Sequence, residues 1–155
     1  MKITINIDEN KKEDEIIIKC KELNKDIEEI QNIISKTLSK REQIIFYKDN
    51  TEYYLSLDKV LFFETESNSI YGHVEADMYE IKHRLYELEE ILPIEFVRVS
   101  KSTILNVRHI RSIDRNILSS SMVEFHSSHK KTYVSRHYYK DFKRRLMEVR
   151  GYYEK

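Results

Sequence analysis

Polar and apolar positions alternate strictly through Lys2-Ile-Thr-Ile-Asn-Ile7, which puts Ile3, Ile5 and Ile7 on one face, as a half-buried strand requires. A charged turn from Asp8 to Asp14 leads into a second β-rich run, Glu15-Ile-Ile-Ile-Lys-Cys20, and the two runs predict a hairpin. Asn24 is placed to cap a helix from Lys25 to about Ser39, in which Ile27, Ile30, Ile34 and Leu38 recur at three- and four-residue spacing. A hairpin and one amphipathic helix are too little to fold alone. This β-β-α leader must dock on the rest of the chain or on a second copy of itself, and Lys40 to Gln43 marks its boundary.

From Ile44 onward the pattern shortens to a succession of strands: Ile44 to Tyr47, Glu52 to Ser56, Val60 to Glu66, Ile70 to Val74 and Met78 to Lys82. Their turns use Asn, Asp and Ser where Gly is usual, in a chain with two Gly and one Pro. A helix interrupts from His83 to Leu92, with Leu85, Leu88 and Leu92 on one face, and Pro93 stops it. Strands resume at Phe96 to Val99, Ile104 to Ile113, Met122 to Phe125 and Lys131 to Val134. Ser135 caps a last helix whose apolar stripe is Tyr138, Phe142, Leu146 and Val149, with Lys140, Lys143, Arg144 and Arg145 facing water. The expectation is a mainly β (α+β) domain over residues 44–150 behind an acidic leader over residues 1–43.

Charge changes this picture. The formal net charge of the 155 residues is zero, but Met1 to Glu95 carries 13 Lys and Arg against 22 Asp and Glu, and Phe96 to Arg150 carries 13 against 4. A polyanion responds to the field within about 8 Å at physiological salt, so the basic half can bind one while the acidic half keeps the chain soluble. The plainer alternative is an ordinary solvated face. No apolar run approaches the roughly 18 residues a bilayer span needs, and the first residues lack a signal-peptide core, so a cytoplasmic protein without membrane insertion is expected. Cys20 is the one cysteine, which excludes an internal disulfide and reads as a small strand residue. Abundant Ile, Lys, Asn and Tyr beside a single Ala suggest an AT-rich bacterial genome.

Catalytic and metal chemistry find little support. His126-Ser-Ser-His129 has ligand-like spacing but sits in an expected hairpin turn without Cys, and His73 and His83 read as surface residues. Glu64 and Glu66 point the same way from one strand, as a solvated strand face does. Nucleophile-elbow, His-Glu-x-x-His and phosphate-loop patterns are absent, so we expect no enzyme activity, no catalytic residue, no metal and no cofactor.

Donors aimed at an anion are better represented. Ser100-Lys-Ser102 lies between apolar runs, so Lys101 can reach a guanine edge or a phosphate while the hydroxyls take neighbouring phosphates. Ser135-Arg-His137 opens a helix, where free N–H groups and the dipole favour negative charge; Arg136 adds a two-pronged donor and His137 a second one. Asn106, between Leu105 and Val107, reads as a buried turn-former.

Taken in order, Val60-Leu-Phe-Phe-Glu-Thr-Glu-Ser-Asn68, the helix with Pro93, Phe96-Val-Arg-Val-Ser-Lys-Ser-Thr-Ile-Leu-Asn106 with Ile110 and Ile113-Asp114, and Val134-Ser-Arg-His-Tyr-Tyr-Lys140 with Phe142 and Leu146 resemble the LytTR DNA-binding domain of bacterial transcription regulators. The resemblance covers Ile44 to Leu146. It implies packed β-sheets with short helices, and loops rather than a recognition helix entering successive major grooves of double-stranded DNA at paired direct repeats. By position it implies three contact loops: Asn68-Ser69 with Ile70, Ser100-Lys101-Ser102, and Arg136-His137. At the first, where relatives often carry His or Arg, this chain has Ser69 and Ile70. Many relatives place a receiver domain ahead of this one, and 43 residues are too few for it, so the chain resembles the stand-alone regulators. A homodimer through the leader is expected, with regulation through expression level or a protein partner that masks the basic face. The alternative from another class is a non-enzymatic adaptor that turns the same basic patch toward an acidic protein.

Overall fold

In the computed structural model, which describes residues 4–11, 15–39 and 43–151, ten strands form two antiparallel sheets with three helices. The larger sheet contains β1 (Phe46–Lys48), β2 (Thr51–Tyr53), β3 (Phe62–Glu66), β4 (Ser69–His73), β5 (Met78–Ile81), β6 (Phe96–Arg98) and β7 (Thr103–Asn106), in the order β2-β1-β5-β4-β3-β7-β6. The smaller contains β8 (Ile110–Asp114), β9 (Ser121–Phe125) and β10 (Lys131–Val134), in the order β10-β9-β8. The helices are α1 (Lys25–Ser39), α2 (Leu85–Ile91) and α3 (Arg136–Arg150). The turn expected at Lys48-Asp-Asn-Thr51 joins β1 to β2 with Asp49 and Asn50 both at positive φ, 50° and 62°, the twist that a two-residue hairpin loop needs.

Side-chain alternation in β3 and β7 divides the interior. Phe62 and Leu105 face the small sheet and α3, where they join Phe125, Val134, Phe142 and Leu146. Phe63 and Ile104 face the other way, against Phe46, Leu85, Leu88 and Phe96. Gly72 lies under this second cluster: a Cβ there would sit 2.8 Å from the Phe46 ring and 3.1 Å from the Phe63 ring, which stack at 6.4 Å.

One expected strand, Ile104 to Ile113, is two strands in different sheets. Asn106 makes the break. Its side-chain amide donates to the Val60 carbonyl at 3.1 Å and its Oδ1 accepts from the Arg108 N–H at 3.0 Å, starting a 3-10 turn over Val107–His109. An apolar run reads as one strand because periodicity carries no information about which sheet each half joins.

The leader departs from expectation. No strand forms in residues 4–11 or 15–24, and Ile5, Ile7, Ile16 and Ile17 are exposed, so the predicted hairpin is absent among the described residues. Met1 to Ile3 and Lys12 to Asp14 lie outside them. Cys20 is exposed in irregular chain. With no third strand or core to cover it, a two-stranded ribbon of this length gains too little to hold. The leader helix does form: Asn24 Oδ1 accepts from the Ile27 N–H at 3.1 Å, and Ile27, Ile30 and Ile34 are half-buried.

His73 is not the surface residue its sequence context suggests. It is buried, stacks on Phe62 at 4.2 Å and 13°, and lies 3.3 Å from the Lys130 ammonium through Nδ1. Burial, reinforced by that ammonium, lowers its pKa to about 4, so the ring is neutral at physiological pH. Lys130 and Ser128 also donate to the Asp77 and Glu75 carbonyls, tying the β9–β10 turn to the β4–β5 turn.

Asn106→Ala should cost about 2 to 4 kcal/mol, since it strands a buried carbonyl and an amide as well as removing their partner. Chemical denaturation monitored by circular dichroism checks this, and a loss below 1 kcal/mol would mean that water replaces the side chain.

Candidate nucleic-acid interface

Three loops distant in sequence meet at one end of the sheets. The β3–β4 turn, with Ser67 at φ 55°, abuts the β6–β7 turn because the Thr65 N–H donates to the Ser102 carbonyl at 2.8 Å. The start of α3 joins them because the Ser135 N–H donates to the Val99 carbonyl at 2.9 Å. Backbone bonds set this rim, so its spacing does not depend on flexible side chains.

The second loop is the best framed. Ser100 Oγ accepts from the Ser102 N–H at 3.1 Å, closing a tight turn that leaves Lys101 exposed at the tip. Beneath it, the Arg98 guanidinium donates to the Ser100 carbonyl at 2.6 Å, the Lys101 carbonyl at 2.5 Å and the Glu89 carboxylate at 3.1 Å. The pattern of strands and loops in the sequence does not single out Arg98. A lone cation in the apolar run Phe96-Val-Arg-Val99, two residues before the loop, was the available signal.

At the third loop Arg136 and His137 are exposed on the first turn of α3. Ser135 occupies the N-cap position with extended backbone, but its side chain makes no cap hydrogen bond; the expected side-chain cap is absent. The first loop is the least suited to phosphate. Asn68 is exposed, Ser69 Oγ donates to Glu80 at 2.9 Å, and Ile70 is half-buried against the Phe46 and Phe63 cluster. Glu64 and Glu66 share the strand face, and burial followed by repulsion from Glu66 raises the Glu64 pKa.

The cations of α3 divide by depth. Lys140 and Arg144 are exposed, and Arg144 lies 3.4 Å from Asp141. Arg145, expected to face water, instead donates to the Ile94 and Phe96 carbonyls at 2.9 and 3.2 Å. Arg150 donates to the Val107 and Ile110 carbonyls at 3.3 and 2.6 Å. These two guanidiniums fasten the helix to carbonyls that the strand ladder leaves over, a use that charge counting cannot separate from solvation. His126 and His129 are exposed, and no group of three metal-ligating side chains occurs among the described residues. Nor is any helix among them long and apolar enough to cross a membrane.

Residues 50–147 match the family model described as the LytTr DNA-binding domain. An HTH-type transcriptional regulator of Staphylococcus aureus strain NCTC 8325 is 30% identical over 149 residues, which span 94% of this chain and 98% of that protein. A counterpart in strain MRSA252 is 29% identical over the same shares. The LytTr DNA-binding domain of a methyl-accepting/DNA response regulator from Bacillus cereus superposes with a TM-score of 0.62 at 24% identity, over 68% of this chain and 97% of that domain. The fold agrees with the family model rather than with the HTH label on the staphylococcal proteins. Here α2 is a seven-residue helix that buries Leu85 and Leu88, and five strands separate it from α3.

Arg98→Ala should speed amide hydrogen exchange at Ser102 and Thr103 while leaving the α3 amides protected. Arg98→Lys should not restore protection, because one ammonium lacks the planar fork that spans two carbonyls and a carboxylate. Heteronuclear NMR exchange rates check both variants, and unchanged rates in Arg98→Ala would remove it as the brace.

Proposed function

The chain belongs to the LytTR DNA-binding domain family, and from that premise we propose that it is a cytoplasmic, sequence-specific transcriptional regulator that binds promoter direct repeats through loops placed in successive major grooves. The observation that carries the reading is the joining of the Lys101 and Arg136 loops, through the Ser135 to Val99 backbone bond, into one rigid basic rim. A major groove about 12 Å wide admits such a rim, and Lys or Arg can take the O6 and N7 of guanine there. Lys101 and Arg136 read bases or grip phosphates, Ser100, Ser102 and His137 position the backbone, and Asn68 and Ser69 reach the edge of the site. Beside the Glu64, Glu66 and Glu80 carboxylates, the first loop contributes the least affinity.

In binding to a labelled duplex from upstream of the chain's own gene and to a shuffled control, Arg136→Ala should lose about 1 to 3 kcal/mol of discrimination between the two. Lys101→Ala serves as the comparison at the second loop. Fluorescence anisotropy at about 50 and 200 mM salt measures both affinity and phosphate count. Equal loss on the two duplexes would make Arg136 a phosphate contact, and no binding of the unaltered protein to either would end the regulator reading.

The leader supports a homodimer in the same proposal. Ile5, Ile7, Ile16 and Leu23 are between 62% and 85% exposed, more apolar surface than a monomer keeps without use. Two copies pairing these segments would supply the strands that each lacks and place two domains on tandem half-sites. Sedimentation should give twice the 18.8 kDa chain mass, and a chain lacking residues 1–40 should be a soluble monomer. An insoluble truncation would show instead that the leader completes its own domain.

A further inference from the structure

Four loops, rather than three, end at this rim. Val134 pairs with Ser121 and Asp114 with Met122, so the connection from β8 to β9, residues 115–120, leaves the small sheet at the end where α3 begins. Its backbone is held from within: the Asn116 N–H donates to Ser121 Oγ at 3.2 Å, and the Leu118 N–H to Asn116 Oδ1 at 3.0 Å.

The exposed Arg115 guanidinium on this loop lies 5.0 Å from the ring centre of Tyr139. Tyr139 is half-buried and meets the fully buried Phe142 ring edge-on at 5.9 Å, so the platform is anchored in the core. Arg136 lies three residues before Tyr139 on the same helix face. Arg115, Asn116, Ser119, Ser121, Arg136 and Tyr139 line one cleft of about 120 Å³ that no carboxylate lines. Two guanidiniums sharing a cleft without an acid repel each other, and an anion between them reverses the sign of that interaction. A guanidinium held over a ring face still has N–H donors to offer an oxygen.

We propose that this cleft takes one backbone phosphate of the bound duplex, with Arg115 as its positioning residue and Tyr139 as the platform that fixes the guanidinium. The inference rests on the DNA-binding reading and adds a fourth element to it. A phosphate clamped beside Arg136 fixes the register in which that side chain meets the bases. It adds affinity that is the same on every sequence.

The test uses the full chain with a labelled promoter duplex and a shuffled duplex of about 30 base pairs, titrated across salt. Arg115→Ala should weaken binding about fivefold to tenfold near 0.1 M salt, equally on both duplexes, and reduce the log–log salt slope by about one. Arg115→Lys should keep the slope, and Tyr139→Leu should lose part of the affinity gained through Arg115. Should Arg115→Ala lower the melting temperature, Arg115→Gln carries the same expectation with less change in packing. Unchanged affinity and slope in Arg115→Ala, while Arg136→Ala still weakens binding, would overturn the clamp and leave the three-loop reading standing. A loss confined to the promoter duplex would also overturn it, because that is the signature of a base contact. Failure of the unaltered protein to bind either duplex would sink both readings together.

Discussion

Asn106 is the point on which the two sheets turn. The chain must leave the large sheet after β7 and enter the small one at β8 within four residues, deep in the interior, where an unpaired backbone group has no water to satisfy it. Asn106, 1% exposed, bonds to β3's approach through the Val60 carbonyl and to the following turn through the Arg108 N–H, while its own N–H donates to the Leu61 carbonyl at 2.8 Å. The neighbours Leu105 and Val107, both fully buried, then face the core between the sheets. The placement of β8, β9 and β10, and so of the loop and helix that follow them, depends on this crossover.

The two ends of the sheets have opposite uses. At one end Lys130, Ser128, Asp77 and Glu75 join the turns of the two sheets, and Lys48 donates to the Asp77 carboxylate at 2.6 Å. The Asp77 pKa is lowered by that bond first and by the Met78 N–H second, so the carboxylate stays charged and the tie stays closed. At the other end the cations project: Lys101, Arg136 and Arg115 are all exposed on loops whose backbones are fixed. Hydrogen bonds to carbonyls join the two sheets at the first end, and the exposed cations lie at the second. This division explains why a chain with no net charge can present a basic rim.

Arginine serves three purposes that composition alone merges into one. Arg98, Arg145 and Arg150 are spent on backbone carbonyls, Arg111 on the Glu124 carboxylate at 2.7 Å, and Arg136 and Arg115 remain at the rim. Of the 13 cations between Phe96 and Arg150, several therefore hold the fold together, and the field at the rim is weaker than the charge asymmetry suggests.

Much of the domain was legible in the sequence. Strands β9 and β10, the leader helix with its Asn24 cap, the stop at Pro93, the turn at Asp49 and Asn50, and Asn106 as a buried turn-former each follow from a local rule: alternation, capping, or tolerance of positive φ. The exposure of Lys101 and Arg136 was legible too, because cations between short apolar runs have to project. What the sequence could not decide was adjacency. Whether Ile104 to Ile113 is one strand or two, whether His73 meets water or Phe62, whether Arg145 is solvated or bound to carbonyls, and whether the leader runs find strand partners all depend on which surface arrives opposite. Local periodicity specifies which way a side chain points from its own backbone. Only the packing of distant segments decides what it meets there, and that packing joined four loops into one rim and placed Arg115 over Tyr139.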